Sequence, residues 1–272
     1  MSSTADGVRM LRAAAGASVH PTALVDPSAV LAPEVEVGPF TVIGPGVEVG
    51  ERTRIASHVL IERDTTVGQE CVISKGAVLG TDPQDLKYGG ELTRLVVGDR
   101  TVIREYATLN RGTGGSGVTS VGNDCLLMTY VHVAHDCTLG DHVILSNSVN
   151  MGGHVAVGDW AVVGGGTQIH QFVRIGPHAF IGGASAVRKD VPPFVKASGS
   201  PLQLYGLNSV GLQRRGFSDA SRRELKRAYR LFFGSTHNVT QALELAAEEL
   251  QSCSEVDAFL TFFRASDRGV SA

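Results

Sequence analysis

From Val19 onward the chain carries a large aliphatic residue at every sixth position: Val19, Val25, Leu31, Val37, Ile43, Val49, Ile55, Ile61, Val67, Ile73 and Leu79. The pattern returns at Val97, Ile103 and Leu109, and again from Val121 through Leu127, Val133, Leu139 and Leu145 to Val187. The fifth place of the frames that hold is Ala, Val, Thr, Cys or Ser, with Pro83 the exception, and the second place is often Gly, as at Gly38, Gly44, Gly50 and Gly140. A period of six is neither the 3.6 of a helix nor the 2 of an ordinary strand. It predicts a triangular coil in which each six supplies a short flat strand and a tight corner. Three sixes, 18 residues, then close one turn. The aliphatic points into the prism and the small fifth residue faces inward near the corner. The glycine in second place is expected to relieve backbone strain at the turn. Stacked coils share parallel hydrogen bonds and rise by roughly 4.8 Å each.

Two stretches break the period, 83–95 (PQDLKYGGELTRL) and 111–119 (RGTGGSGVT), and both read as polar loops thrown out from the prism. Beyond Pro192-Pro193 the six-fold pattern ends. A link through 217 leads to a capping box over Ser221-Arg-Arg-Glu224 and to helical spacing of Leu225, Ala228, Tyr229 and Phe232. Helical stretches at about 238–252 and 254–265 follow, about three helices in all. The expected organisation is an N-terminal extension over 1–18, the β-prism over 19–196 and a C-terminal helical domain over 197–272. The first 17 residues lack a continuous apolar stretch with a cleavage site and read as a frayed start.

Composition narrows the function classes. A net charge of −3 gives no electrostatic case for nucleic acid or an anionic membrane. No run of 18 apolar residues exists to span a bilayer. Cys71, Cys125 and Cys137 fall at the fifth place of the repeat and read as small core residues; with Cys253 they form no CxxC pair. The expected location is the cytoplasm.

Six of the nine histidines lie between 132 and 178. Residues 18 apart stack on neighbouring coils, so His135, Gly153 and Gln171 form a column. His154 sits beside it, His170 precedes Gln171, and His132 lies half a strand from His135. Any one of these histidines alone would be an ordinary surface residue, but four around one column point to chemistry. Two chemistries compete: a zinc held by histidines of neighbouring subunits, as in carbonic anhydrases of this fold, or a neutral imidazole acting as general base with Asp136 beside it. A non-enzymatic scaffold is a third possibility. Lys87, in the first loop, and Arg214-Arg215, between prism and helices, are candidate anion ligands, the arginine pair being well matched to a diphosphate.

The ordered motifs Gln84-Asp-Leu-Lys-Tyr-Gly-Gly-Glu, Asn110-Arg-Gly-Thr, His132-Val-Ala-His-Asp-Cys, Gly153-His, His170-Gln-Phe and Gly211-Leu-Gln-Arg-Arg-Gly-Phe resemble the acyl-ACP–UDP-N-acetylglucosamine O-acyltransferase family. The resemblance runs from His20-Pro21 to Phe263 and implies the left hand for the coil, against the usual right-handed rule for parallel crossovers. It implies transfer of a (3R)-3-hydroxyacyl group from acyl carrier protein to the glucosamine 3-hydroxyl of UDP-N-acetylglucosamine, the first step of lipid A biosynthesis. It implies no metal and no cofactor. By the resemblance His135 is the general base, Asp136 supports it and the Gly153 N–H stabilises the oxyanion. Asp85, Lys87, His132, His154, His170 and Gln171 are placed around the sugar nucleotide. Asn208 and Arg215 fall near the diphosphate and uridine, and Arg214 near carrier protein or substrate. Gly183 falls at the acyl-length ruler. The sites of this family lie between subunits of a homotrimer. Gly199-Ser200-Pro201 lacks a histidine that other members carry, Val210 stands where some have an acidic residue near the ribose, and the 17-residue extension has no counterpart. The N-acyltransferase of the same pathway is the close alternative. It typically has an additional N-terminal uridine-binding domain, whereas here the prism begins by residue 19.

Overall fold

A computed structural model describes residues 16–271 apart from 235 and 267. The expectation for residues 1–15 lies outside the described residues. The aliphatic in first place and the residue before it form the strand, as in Glu36–Val37, Val42–Ile43 and Glu48–Val49. These two-residue strands stack into three sheets of 11, 9 and 8 strands. The first face begins at Ser18–Val19, the second at Leu24–Val25 and the third at Val30–Leu31. The pairing is parallel throughout the coil. The first and fifth places line the interior, with Ile43, Ile61, Val35 and Val47 at 0–1 % exposure. A buried threonine at the fifth place hands its hydroxyl proton to the next coil, as Thr41 Oγ1 does to the Ala56 carbonyl at 2.7 Å. Cys71, Cys125 and Cys137 are buried there as expected. Burial pushes the thiols up, to about 11 at Cys125 and about 12 at Cys137, so none is a nucleophile at neutral pH.

The corners depart from expectation in one respect. The left-handed backbone falls at the fourth place, not the second, and non-glycine residues adopt it: Phe40 (φ 59°), His58 (57°), Asp136 (60°), His154 (59°) and Trp160 (61°). Each costs roughly 1–2 kcal/mol, which the stacked coils offset. The second-place glycine is needed for room instead. A Cβ on Gly44 would lie 1.7 Å from the Glu62 carbonyl oxygen of the next coil.

The two loops leave the wall at a one-residue irregularity, where Leu79 pairs with Leu109 but Thr81 with Asn110, and the coil resumes its register beyond them. Ser18 pairs with Glu36, 18 residues on, whereas Val72 pairs with Val102 across the first loop and Thr108 with His132 across the second. Pairing resumes at Arg94–Val97 and Val118–Val121, so the loops span 82–93 and 111–117. Arg111 is almost fully buried beneath the first of them, with its guanidinium on the Gly80 carbonyl, the Asp82 carboxylate and, at 3.3 Å, the Tyr88 hydroxyl.

Strand pairing continues past 196. Val195–Ser198 adds to Phe180–Ile181 and turns back, antiparallel, into Gln203–Leu207. Four helices follow: α1 (Ser209–Arg214), α2 (Asp219–Phe233), α3 (Val239–Glu249) and α4 (Ser254–Arg264). The cap of α2 is Ser218, whose side chain accepts from the Ser221 N–H, rather than Ser221 itself. Glu224 instead accepts from the Gln251 N–H at 3.1 Å and ties α2 to the end of α3. Arg174 of the prism donates to the Ala265 carbonyl at 2.6 Å, and buried Asp190 accepts from Ser266 at 2.8 Å, which seats α4 on the last coil. Among the described residues no helix is long and apolar enough to cross a membrane.

Candidate active site

The column expected from the repeat lies on the corner between the second and third faces. The strand His132–Val133 runs into the corner His135-Asp136, and Thr138–Leu139 leaves it. One coil on, Asn150–Met151 leads to Gly153-His154, and one further, Gln168–Ile169 leads to His170-Gln171-Phe172. Main-chain bonds lock the stack. The His154 N–H donates to the His135 carbonyl and the Phe172 N–H to the Gly153 carbonyl, each at 3.0 Å.

His135 Nδ1 lies 2.7 Å from Asp136 Oδ2. The Asp136 side chain is fully buried, whereas that of His135 keeps 13 % exposure. Burial alone would push the Asp136 carboxyl up; hydrogen bonds from Ser116, His135 and Thr113 outweigh it and hold the group well below the usual carboxylate range. An ionised Asp136 is only an acceptor, so it fixes the proton of neutral His135 on Nδ1 and leaves Nε2 with its lone pair outward. His154 packs edge-on against His135 with ring centres 5.2 Å apart, and Phe172 stacks on His154 at 4.6 Å. His132 accepts or donates at 2.7 Å with Thr108 Oγ1; burial first, and the neighbouring His135 second, push its pKa down, so it is neutral at pH 7. The His170 ring rests against the Gln171 carbonyl at 3.0 Å.

Gly153 sits directly over the His135 ring. A Cβ there would lie 2.5 Å from Cε1 and 2.6 Å from Nε2. Among the described residues no protein acceptor takes the Gly153 N–H, so the corner offers a base and a free donor one coil apart. Gly153→Ala should therefore push the imidazole off Asp136. The expected result is a loss in kcat of about 10²-fold, typical of a misplacement near 1 Å, with an unchanged melting temperature.

His135, Asp136 and His154 also offer ligand atoms within 4.8 Å of one another. Both Asp136 oxygens are already engaged: Oδ1 by the Thr113 N–H and the Ser116 hydroxyl, Oδ2 by the Thr113 hydroxyl at 2.7 Å and by His135. A cation there would displace those donors, and this favours proton chemistry over zinc.

The other expected residues are spread around the prism. Asp85 and Lys87 lie on the first loop, where the Lys87 N–H donates to Asp85 Oδ1 at 2.9 Å. That loop meets the second, since a Cβ on Gly114 would lie 3.5 Å from Glu91 Oε1. Asn208, Arg214 and Arg215 border a cavity of about 860 Å³ against the first face, floored by Ile144, Val162 and Phe180. Asn208 caps α1, accepting from the Gly211 N–H at 3.2 Å, and donates to the His178 carbonyl at 3.0 Å. The Arg215 guanidinium lies 4.9 Å above the Trp160 ring. Burial, with Arg215 adding to it, pushes neighbouring His178 down to about 4. Gly183 is on a third edge, between the first and second faces, its Cβ position 3.1 Å from the Gly165 carbonyl oxygen. One chain thus gathers His132, His135, Asp136, Gly153, His154, His170 and Gln171, but not Asn208, Arg214, Arg215 or Gly183, on the column. Thr113, Ser116, Trp160 and His178 were not singled out from sequence as having roles at the site. Thr113 was visible only within Asn110-Arg-Gly-Thr, and Ser116 carried no signal at all.

Comparison with known proteins bears on both halves of the chain. Residues 28–63 and 119–153 match the bacterial transferase hexapeptide family of six repeats, and residues 190–271 match UDP-N-acetylglucosamine O-acyltransferase, domain 2. The acyl-[acyl-carrier-protein]–UDP-N-acetylglucosamine O-acyltransferase of Myxococcus xanthus is 52 % identical over 94 % of this chain and 99 % of its own, and that of Thiobacillus denitrificans 46 % over 93 % and 99 %. The solved UDP-N-acetylglucosamine O-acyltransferase of Moraxella catarrhalis is 39 % identical with a TM-score of 0.91, covering 93 % of this chain and 99 % of that one. The coil is accordingly a left-handed parallel β-helix followed by helices.

Proposed function

Because this chain belongs to the acyl-[acyl-carrier-protein]–UDP-N-acetylglucosamine O-acyltransferase family, we propose that it moves a (3R)-3-hydroxyacyl group from acyl carrier protein to the glucosamine 3-hydroxyl of UDP-N-acetylglucosamine, opening lipid A biosynthesis. The relatives are O-acyltransferases over nearly the whole chain, which favours this over the N-acyltransferase reading. The observation that carries the mechanism is the His135–Asp136 pair lying beneath a free Gly153 N–H. His135 Nε2 takes the proton from the 3-hydroxyl as that oxygen attacks the thioester carbonyl. The Gly153 N–H donates to the oxyanion that forms, a contribution on the order of 3 kcal/mol for such donors. Collapse breaks the carbon–sulfur bond, and the imidazolium returns its proton to the departing thiolate. Asp136 stays ionised and steadies the imidazolium. Asp85, Lys87, His132, His154, His170 and Gln171 surround the sugar nucleotide in this reading. No cofactor is asked for.

A second copy must complete such a site, because Asn208, Arg214, Arg215 and Gly183 lie on other edges of the prism than His135. The outer row of the first face (Leu126, Ile144, Val162, Phe180) is apolar and half-buried, with Phe180 exposed, and on the second face Leu24 and Val42 are exposed, Leu24 at 68 %. Two different sticky surfaces suit a head-to-tail ring, here a homotrimer. Arg214 and Arg215 would then hold the diphosphate or the carrier protein of a neighbour's site, while Asn208, already fixed by α1, borders the uridine. Free cysteines fit a reducing cytoplasm.

Incubation with UDP-N-acetylglucosamine and 3-hydroxyacyl carrier protein, followed by mass analysis of the sugar nucleotide, tests the reaction. One added ester is expected, and none would overturn it. Gly183 leaves its edge bare down to the backbone, so a long acyl chain can run past it. Fourteen-carbon donors are expected to outperform ten-carbon donors in kcat/KM; a clear preference for ten would sink this.

A further inference from the structure

The loop 111–117 brings four donors to one carboxylate. Thr113 supplies its N–H, 3.0 Å from Asp136 Oδ1, and its hydroxyl, 2.7 Å from Oδ2. Ser116 supplies its N–H at 3.4 Å and its hydroxyl, both to Oδ1. From the prism side Thr119 Oγ1 accepts the Asp136 N–H at 2.8 Å. Neither Thr113 nor Ser116 lies on the column that presents His135, and neither is needed to close the coil, whose register resumes beyond the loop.

We propose that Thr113 and Ser116 are positioning residues that set the basicity of His135 through Asp136. The proposal rests on the reading of His135 as the base. A carboxylate that accepts several hydrogen bonds has its charge spread among them and is a weaker partner for an imidazolium. Stripped of the two hydroxyls, Asp136 would stay buried and ionised but would concentrate its attraction on the His135 ring, and the imidazole would hold its proton to higher pH. The clamp also fixes the carboxylate plane, so Oδ2 meets Nδ1 rather than turning toward His154, whose Nε2 lies 3.6 Å from the same oxygen. Among the described residues the other titratable groups beside this pair are His132, on the strand that leads to it, His154, and Cys137, whose buried thiol feels the Asp136 charge; Glu91 reaches the loop only at Gly114.

The test is the pH dependence of carbethoxylation of His135 by diethyl pyrocarbonate, followed by peptide mass analysis, in the full chain and in Ser116→Ala, Thr113→Val and Ser116→Thr. The reagent attacks only neutral imidazole, so the midpoint reports the His135 titration whether or not the enzyme turns over. Loss of either hydroxyl is expected to raise the midpoint by about half a unit to one unit. Ser116→Thr, which restores the hydroxyl, should return it to the parent value. The acid limb of kcat/KM should move with it, and KM for the sugar nucleotide should stay within about twofold. An unmoved midpoint in both Ser116→Ala and Thr113→Val overturns the proposal, and so does a loss of kcat with no shift, which would mark the loop as merely structural. A parent chain that forms no ester yet shows the midpoint shift would sink the proposed reaction and leave the clamp standing, so the two failures are distinguishable. Ser116→Ala removes one oxygen from a half-exposed loop and carries the test even if Thr113→Val misfolds.

Discussion

His135→Ala is expected to lower kcat by about 10²- to 10⁴-fold, the range associated with removing a positioned general base. The prism should survive the change. The side chain lies on the outer side of a corner and not among the buried aliphatics, so the melting temperature should move by no more than a few degrees. KM for the sugar nucleotide should change little, since the lost interaction is strongest in the transition state. The residual rate would come from substrate positioning and the Gly153 N–H. The neighbouring imidazole supplies the control. His154 approaches the same carboxylate, but at 3.6 Å rather than 2.7 Å, and it stacks on Phe172. His154→Ala should therefore cost less than His135→Ala. Steady-state kinetics on both variants decide it: equal losses would dissolve the assignment of one base, and full turnover by His135→Ala would refute it.

Asp136→Asn is the second large effect, and it follows from the donors around the carboxylate. The Thr113 N–H lies 3.0 Å from Oδ1 and 3.2 Å from Oδ2, so it faces both oxygens. An asparagine NH2 at either position would confront a backbone donor that cannot reverse. If the amide nitrogen takes the Oδ2 place, it also confronts the Nδ1–H of His135. The imidazole then shifts its proton to Nε2, the atom that accepts from substrate in the proposed mechanism. The expected loss is about 10³- to 10⁴-fold in kcat, comparable to the same change in a serine-protease triad. Raising the pH should not restore the rate, because the fault is in the tautomer and not in the ionisation. A loss below about tenfold would mean that Asp136 does not orient the base.

Much of this was legible in the sequence because one force writes one period. Every buried aliphatic in the coil must recur every sixth residue, and Val133, Met151 and Ile169 do so through the column that carries His135 and Gly153. What the period cannot show is geometry shared by unlike residues. The left-handed fourth place holds Phe40, Arg52, Asp64 and Trp160 alike, so no residue type announces it, and the pattern alone points to the glycine two places earlier. Ser218 and Ser221 stand three apart, and Glu224 made the wrong one look like the cap. The loops carry no period at all. Hence the reach of Ser116 to Asp136, and of Arg111 to Asp82, was invisible until the chain was folded. The resemblance supplied residues on all three edges of the prism but not the fact that one chain keeps them apart.

The stacking of coils has a consequence for how such a chain can change length. Six residues inserted in the wall between the loop 111–117 and His135 would advance everything beyond them by one face, and His135 would emerge on a different edge from the loop that clamps Asp136. Eighteen would restore every edge and only lengthen the column by one storey. A single residue would turn the aliphatic ladder outward. Length change in the wall is thus confined to whole storeys, while the excursions at 82–93 and 111–117, which leave and rejoin the wall, can vary in length without turning the faces beyond them, provided the second still brings Thr113 and Ser116 to Asp136.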